Sequence, residues 1–231
     1  MLRLSLVAVC IARVASADPP TGSIHGTVIF EGEPPEQKVL DRKSEPKCSQ
    51  GRTDEAVVVT HGKLRDVLVR VANGSTGAHD APKTPVVLDQ HDCMYSPRVV
   101  GMVAGQMLVV RNSDGVFHNV WGTLAGKELW NKPQQAGTPD LELDPKTAHA
   151  GDVIELKCGV HPWMKAYAVV QDHPYFAVTD GDGKFSIDGL APGTYTLEAW
   201  HPVLGARSMQ VVIGKGKRGQ VSARFSYKAS D

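Results

Sequence analysis

Beyond its first residues, this chain is written in short runs in which apolar and polar side chains alternate, and no amphipathic helix of useful length interrupts them. A period of two belongs to a strand, because side chains two apart share a face. "GSIHGTVIF" puts Ile24, Val28 and Phe30 on one face, and "DVLVRVANG" does the same with Val67, Val69 and Val71. "GDVIELKC" aligns Ile154, Leu156 and Cys158 opposite Glu155 and Lys157. The 23 glycines and 15 prolines punctuate these runs. Many short strands with frequent turn signals predict an all-β sandwich or barrel. At 231 residues there is room for one large domain or two small ones.

The first 17 residues stand apart. "MLRLSLVAVCIARVASA" has an early arginine, a short apolar stretch and a small-residue end at Ala15-Ser16-Ala17, the pattern of a secretory leader cut before Asp18. A lipid-anchored alternative at Cys10 fits less well, because Val9 stands where a small residue is expected. Without the leader, 23 basic residues face 25 acidic ones, a formal charge of −2. That balance gives no footprint for nucleic acid. No later apolar run approaches the ~20 residues of a membrane span. The expectation is a periplasmic or secreted protein.

Export changes how cysteine reads. Cys48, Cys93 and Cys158 remain, and an oxidising compartment favours disulfides. An odd count leaves one thiol over.

Four potential metal ligands are spaced so as to explain that thiol. "SDGVFHNV" supplies His118, and forty residues later "CGVHPWM" supplies Cys158, His161 and Met164. Ligands at i, i+3 and i+6 cannot converge from an extended strand, but a tight loop closing one end of a sandwich brings them together. Pro162 would fix φ within that loop. Two imidazoles, a thiolate and a weak axial thioether make a type 1 copper site. Taken singly, each residue has a plainer reading: Met164 as core filling, Cys158 as a buried thiol or half a disulfide, His118 as a surface histidine. Zinc fits less well, because its structural sites favour more thiolates or a closed set of harder ligands.

The order His…Cys-x-x-His-x-x-Met, with "HNV" at the first histidine and "SPRVVGMVAGQMLVVRNSD" before it, resembles the cupredoxins, and the short "CGVHPWM" is most similar to the amicyanin loop. The resemblance covers about 90 residues. It implies a Greek-key β-sandwich with one type 1 copper, ligated by His118, Cys158, His161 and Met164. It implies that Asn119 hydrogen-bonds across to the copper loop, and that His161 lies near the surface as the electron's exit. Pro162 and Trp163 then either form an apolar docking patch or pack loop against sandwich. With Cys158 on the metal, Cys48 and Cys93 are left to pair, closing a loop of about 45 residues; the alternative brings one of them to the metal.

Residues 175–231 look different. "VTDGDGKFSIDGLAPGTYTLEAW" resembles the carboxypeptidase-regulatory, or transthyretin-like, β-sandwich module, and "GSIHGTVIFEGEPP" resembles its opening strand. The resemblance implies a discontinuous module over 18–83 and 174–231, with a cupredoxin domain inserted at 84–173. The runner-up is two consecutive domains. "DGDG" has some likeness to a calcium loop, but Lys184 and Ala191 stand where acidic ligands are needed.

The function implied is that of a one-electron carrier that meets redox partner proteins transiently. The alternatives are a copper storage or delivery protein, and a cell-surface glycan- or protein-binding module with an accessory cupredoxin domain. An enzyme is not expected, because the chain has no His-x-His pair for further coppers. His25, His61, His79 and His149 sit in polar contexts, while His91, His173 and His201 could form a second cluster.

Overall fold

A computed structural model describes residues 22–73, 79–215 and 219–229. The expected leader, 1–17, lies outside these residues. The protein is all-β, with no α-helix among the described residues. Its strands form four sheets around two separate cores.

One pair of sheets uses the two ends of the chain. β1 (Gly22–Glu31) carries antiparallel β15 (Lys184–Leu190) and β3 (Lys63–Leu64) on one edge and parallel β18 (Gln220–Lys228) on the other, and β2 (Val59–Thr60) follows β3. The facing sheet runs β14 (Phe176–Val178), β4 (Leu68–Asn73), β16 (Gly193–His201) and β17 (Gly205–Ile213), antiparallel throughout. Ile24, Val28 and Phe30 meet Val67, Val69 and Val71 between these sheets, so both alternating faces read from the sequence are core faces.

The other pair uses the middle of the chain. One sheet has the order β10 (Lys127–Gln134), β9 (His118–Leu124), β12 (Val153–Lys157), β13 (Lys165–Gln171) and β7 (Val99–Val103), with β7 parallel to β13. The other runs β11 (Leu141–Leu143), β8 (Leu108–Asn112), β5 (Val86–His91) and β6 (Met94–Ser96), with β5 parallel to β8. Ile154, Leu156 and Cys158 face inward together, as their spacing predicts.

The division by sequence places Cys48 with the outer strands, but Cys48 packs in the second core. The cause is covalent: Cys48 is bonded to Cys93 in the turn between β5 and β6. Arg42, fully buried, fastens the same segment by donating to the carbonyls of Ser49 and Asp92.

A third apolar cluster joins the two units. Leu68, on the face of β4 turned away from the first core, packs with Val99 and Val169 of the second unit, and Tyr167, Phe176 and Trp200 close around them. Burial on both faces of β4 is what its near-continuous apolar run requires. Gly101 lets the units approach: a Cβ there would collide with the Phe176 ring and lie 2.9 Å from Leu68 Cδ1. Arg70 spans the seam, bonding Glu198 at 2.7 Å and Gln171 at 3.4 Å.

His201 is buried, and its Nδ1 accepts from the backbone N–H groups of Val203 and Leu204, both at 3.2 Å. Burial first, and then the nearby Arg98 charge, lower its pKa to about 4. The unfolded chain therefore binds the proton more readily than the folded one. The resulting stabilisation is complete above about pH 6.5 and fades as pH falls towards 4.

Two outcomes are expected. Gly101→Val should cost about 1–3 kcal/mol by overpacking the seam, read as a lower midpoint in denaturant unfolding. His201→Gln should flatten the loss of stability between pH 6.5 and 4 relative to the parent, measured by thermal melts across that range; an unchanged slope would show that His201 does not set it.

Candidate metal centre

The structure brings His118, Cys158 and His161 together. β9 begins with His118, while Cys158 and His161 lie in the loop after β12. β12 and β9 are paired antiparallel, with Lys157 opposite Trp121, so both ligand-bearing segments emerge at one end of the sheet. His118 Nδ1 lies 3.0 Å from His161 Nδ1, and Cys158 Sγ lies 3.8 Å and 3.6 Å from these two nitrogens. All three residues are buried. Met164 is fully buried and closes the loop: its backbone N–H donates to the His161 carbonyl at 2.9 Å, and its carbonyl accepts from Cys158 N–H at 3.4 Å.

This donor set suits a transition-metal ion. With zinc as a first-row yardstick, metal–nitrogen bonds of about 2.0–2.1 Å and a metal–sulfur bond of about 2.3 Å call for S···N separations of about 3.6–3.8 Å at trigonal to tetrahedral angles. The observed pair falls on those values, and the two nitrogens stand slightly closer than about 3.3 Å, the matching N···N figure. Imidazole with thiolate suits copper and zinc.

A carboxylate absent from the sequence reading holds His118. Asp114 Oδ2 lies 2.8 Å from His118 Nε2 and also accepts Cys93 N–H at 2.9 Å, while Oδ1 accepts Asp92 N–H at 2.7 Å. With Nε2 engaged by the carboxylate, Nδ1 faces the other two donors. Only the acid four positions before His118, in "SDGVFH", signals this in the sequence. A buried amide network fixes the turn: Asn112 Oδ1 accepts Asp114 N–H at 3.0 Å, and Asn112 Nδ2 donates to the Val116 carbonyl at 2.9 Å.

Asn119 reaches the opposite side. Its backbone N–H points at Cys158 Sγ at 3.4 Å, its Oδ1 accepts Gly159 N–H at 3.2 Å, and its Nδ2 donates to Asn131. A Cβ on Gly159 would stand 2.8 Å from that Oδ1, so glycine permits the approach.

The electrostatics are those of a thiolate beside a cationic imidazole. Burial alone would raise the Cys158 thiol; hydrogen bonds from His118, His161 and the Asn119 and Val160 backbones outweigh it and bring the pKa down to about 5. Burial would likewise lower His118, but Asp114 and Cys158 hold it up at about 9. Burial pushes Asp114 up, and bonds from His118 and the Cys93 and Asp92 backbones override this, leaving it below the usual carboxylate range.

Two expectations need restating. His161 is 4% exposed, more enclosed than the surface position expected for it, because His118 lies on one side and the Trp163 ring, 5.2 Å away, on another. Trp163 is half-buried: its Nε1–H donates to the Cys93 carbonyl at 2.9 Å and its ring lies beneath the Arg42 guanidinium. These contacts hold one edge of the ring inward, and Pro162 next to it is exposed. Cys93 is held in the disulfide and Cys158 stays free. His91, His173 and His201 form no ligand cluster among the described residues. The DGDG stretch is a tight turn in which Asp180 Oδ1 caps the N–H groups of Asp182 and Lys184.

The family model for polysaccharide lyase family 4, domain II, matches residues 146–221, which run from before β12 into β18 and so cross both units. That model, and not a carboxypeptidase-regulatory one, matches the strands that resemble the latter. No curated protein matches the chain. Among solved structures, a purple cupredoxin from Nitrosopumilus maritimus is 23% identical, covering 37% of this chain and 99% of its own, with a TM-score of 0.32. Amicyanin from Paracoccus versutus is 20% identical, covering 45% of this chain and 97% of its own, with a TM-score of 0.33.

Asp114→Asn should keep the fold, since an amide oxygen can still accept one of the two turn N–H groups and the disulfide holds the turn, yet weaken metal retention by about 10- to 100-fold. Competition with a chelator reads the loss, and wild-type retention in this variant would remove Asp114 from the site's support.

Proposed function

We propose that this protein is an exported copper protein that carries single electrons, in which His118, Cys158 and His161 would hold the copper with the Met164 thioether as a fourth donor. One observation carries the reading: two Nδ1 atoms and one Sγ, all buried, converge with mutual separations of 3.0–3.8 Å. Copper would supply a one-electron couple, which soft thiolate and thioether donors support on the Cu(I) side. The chain's own task is to keep the donors fixed in both states. Asp114 orients His118, Asn119 ties β9 to the loop, and the disulfide keeps Cys93 from competing for the metal.

The partner in this reading is another redox protein, met briefly through a small interface. Exposed Val160 and Pro162 on the loop, with half-exposed Trp121 beside it, provide an apolar face for such an encounter. Trp163, engaged inward, contributes stiffness there. One three-donor site of this kind among the described residues, in a sequence with no His-x-His pair, supports a one-electron carrier. The two-unit arrangement supports a cupredoxin-like insert within a β-sandwich built from the two ends of the chain, and the export assignment rests on the leader pattern of residues 1–17.

Adding Cu(II) to the purified protein should give an intense visible thiolate-to-copper band at one equivalent, and Cys158→Ser should abolish it. A protein that stays colourless and retains no copper ends this reading.

A further inference from the structure

A cleft of about 690 Å³ lies between the two units, at the end of β6 and away from the metal donors. Its size is that of a small-molecule site, and such sites favour domain junctions. Arg98 lines it and is 6% exposed. Arginine is rarely buried without a partner, because its five N–H donors lose water on burial. Yet Arg98 has no ion pair or side-chain hydrogen bond among the described residues, and its Nε is buried with no acceptor. It stacks on an aromatic face, with the guanidinium carbon 5.6 Å from the Tyr167 ring centre, and its charge is felt by Asp66 and His201 without a hydrogen bond to either.

The other charges in the cleft are already matched. Asp66 binds Arg65 at 2.9 Å. Glu55 bridges Arg52 at 2.9 Å and Arg65 at 3.0 Å. Asp92 reaches Arg52 at 3.4 Å and Arg42 at 3.7 Å. Asp180 Oδ1 is taken by two backbone N–H groups. What remains without an acceptor is the planar donor fork of Arg98, stacked on a ring in a cleft walled by Met94, Tyr95 and Val178. A guanidinium in that setting recognises two oxygens of a carboxylate or phosphate.

We propose that the cleft between the units is a binding site for a small organic anion, whose carboxylate or phosphate pairs with Arg98 while its apolar part lies against Met94 and Tyr95. The site is distinct from the metal donors. It adjoins them through Asp92 and the β5–β6 turn, which borders the cleft and bonds Asp114, and through Tyr95, whose hydroxyl donates to the Lys157 carbonyl.

Calorimetric titration with benzoate and, separately, phenyl phosphate tests this. Saturable binding of at least one is expected, and which one binds tells carboxylate from phosphate. Arg98→Gln should weaken it about 10- to 100-fold, the worth of a charge-assisted pair, while Arg98→Lys keeps part of it. Should Arg98→Gln fail to fold, the parent decides: shifts of the Tyr95 and Tyr167 ring resonances on titration support the site. Failure of both anions to bind below about 10 mM, a level corresponding to under ~3 kcal/mol, or equal binding by a folded Arg98→Gln, overturns it. A change in the copper band bears on neither outcome.

Discussion

The Asp114 carboxylate is the contact on which the metal centre depends. One acid accepts the His118 imidazole and two backbone N–H groups of the turn between β5 and β6. That turn needs the help. Asp92 and Cys93 both adopt positive φ, 52° and 51°, in a two-residue hairpin where glycine is usually found second. A left-handed conformation at two L-residues persists only where the surroundings over-determine it. Here the disulfide, the Asp114 bonds and the Arg42 contact to the Asp92 carbonyl all hold the same two residues.

The turn reaches the centre a second time. The Cys93 carbonyl accepts the Trp163 indole N–H, and the Trp163 ring lies beside His161. A single strained corner therefore supports one histidine through a carboxylate and the other through an indole. In the proposed role such stiffness would limit rearrangement between redox states, and support behind the metal-binding side chains is a usual means of supplying it. The long segment carrying Cys48 and Arg42 is thereby explained: it leaves the outer strands to brace this corner.

The two units are also linked across an apolar seam, where Gly101 admits Phe176 and Arg70 spans from one to the other. The seam leaves a cleft at one margin, in which Arg98 Nε is buried without an acceptor. Geometry at the metal and geometry at the cleft meet in the β5–β6 turn, since Asp92 faces one and Cys93 supports the other.

Much of the fold was legible because strands announce themselves locally. A period of two identified Ile24, Val28 and Phe30, or Ile154, Leu156 and Cys158, as core faces without knowledge of what they would pack against. The three converging donors could be singled out for a similar reason: Cys158 and His161 fall within one short loop, and His118 follows a strand and a turn. Asp114 was not legible as a ligand's support, since an acid in "SDG" reads as an ordinary turn residue. Nor was Leu68 legible as a seam residue, because alternation assigns the face opposite a core to solvent. The sequence by itself determined the strand faces and the kinds of donor atom. Only tertiary structure decided which donors converge, which carboxylate orients His118, how deeply His161 is enclosed and which arginine is left unpaired. Those outcomes depend on side chains distant in the chain meeting across sheets, and no local pattern encodes such meetings.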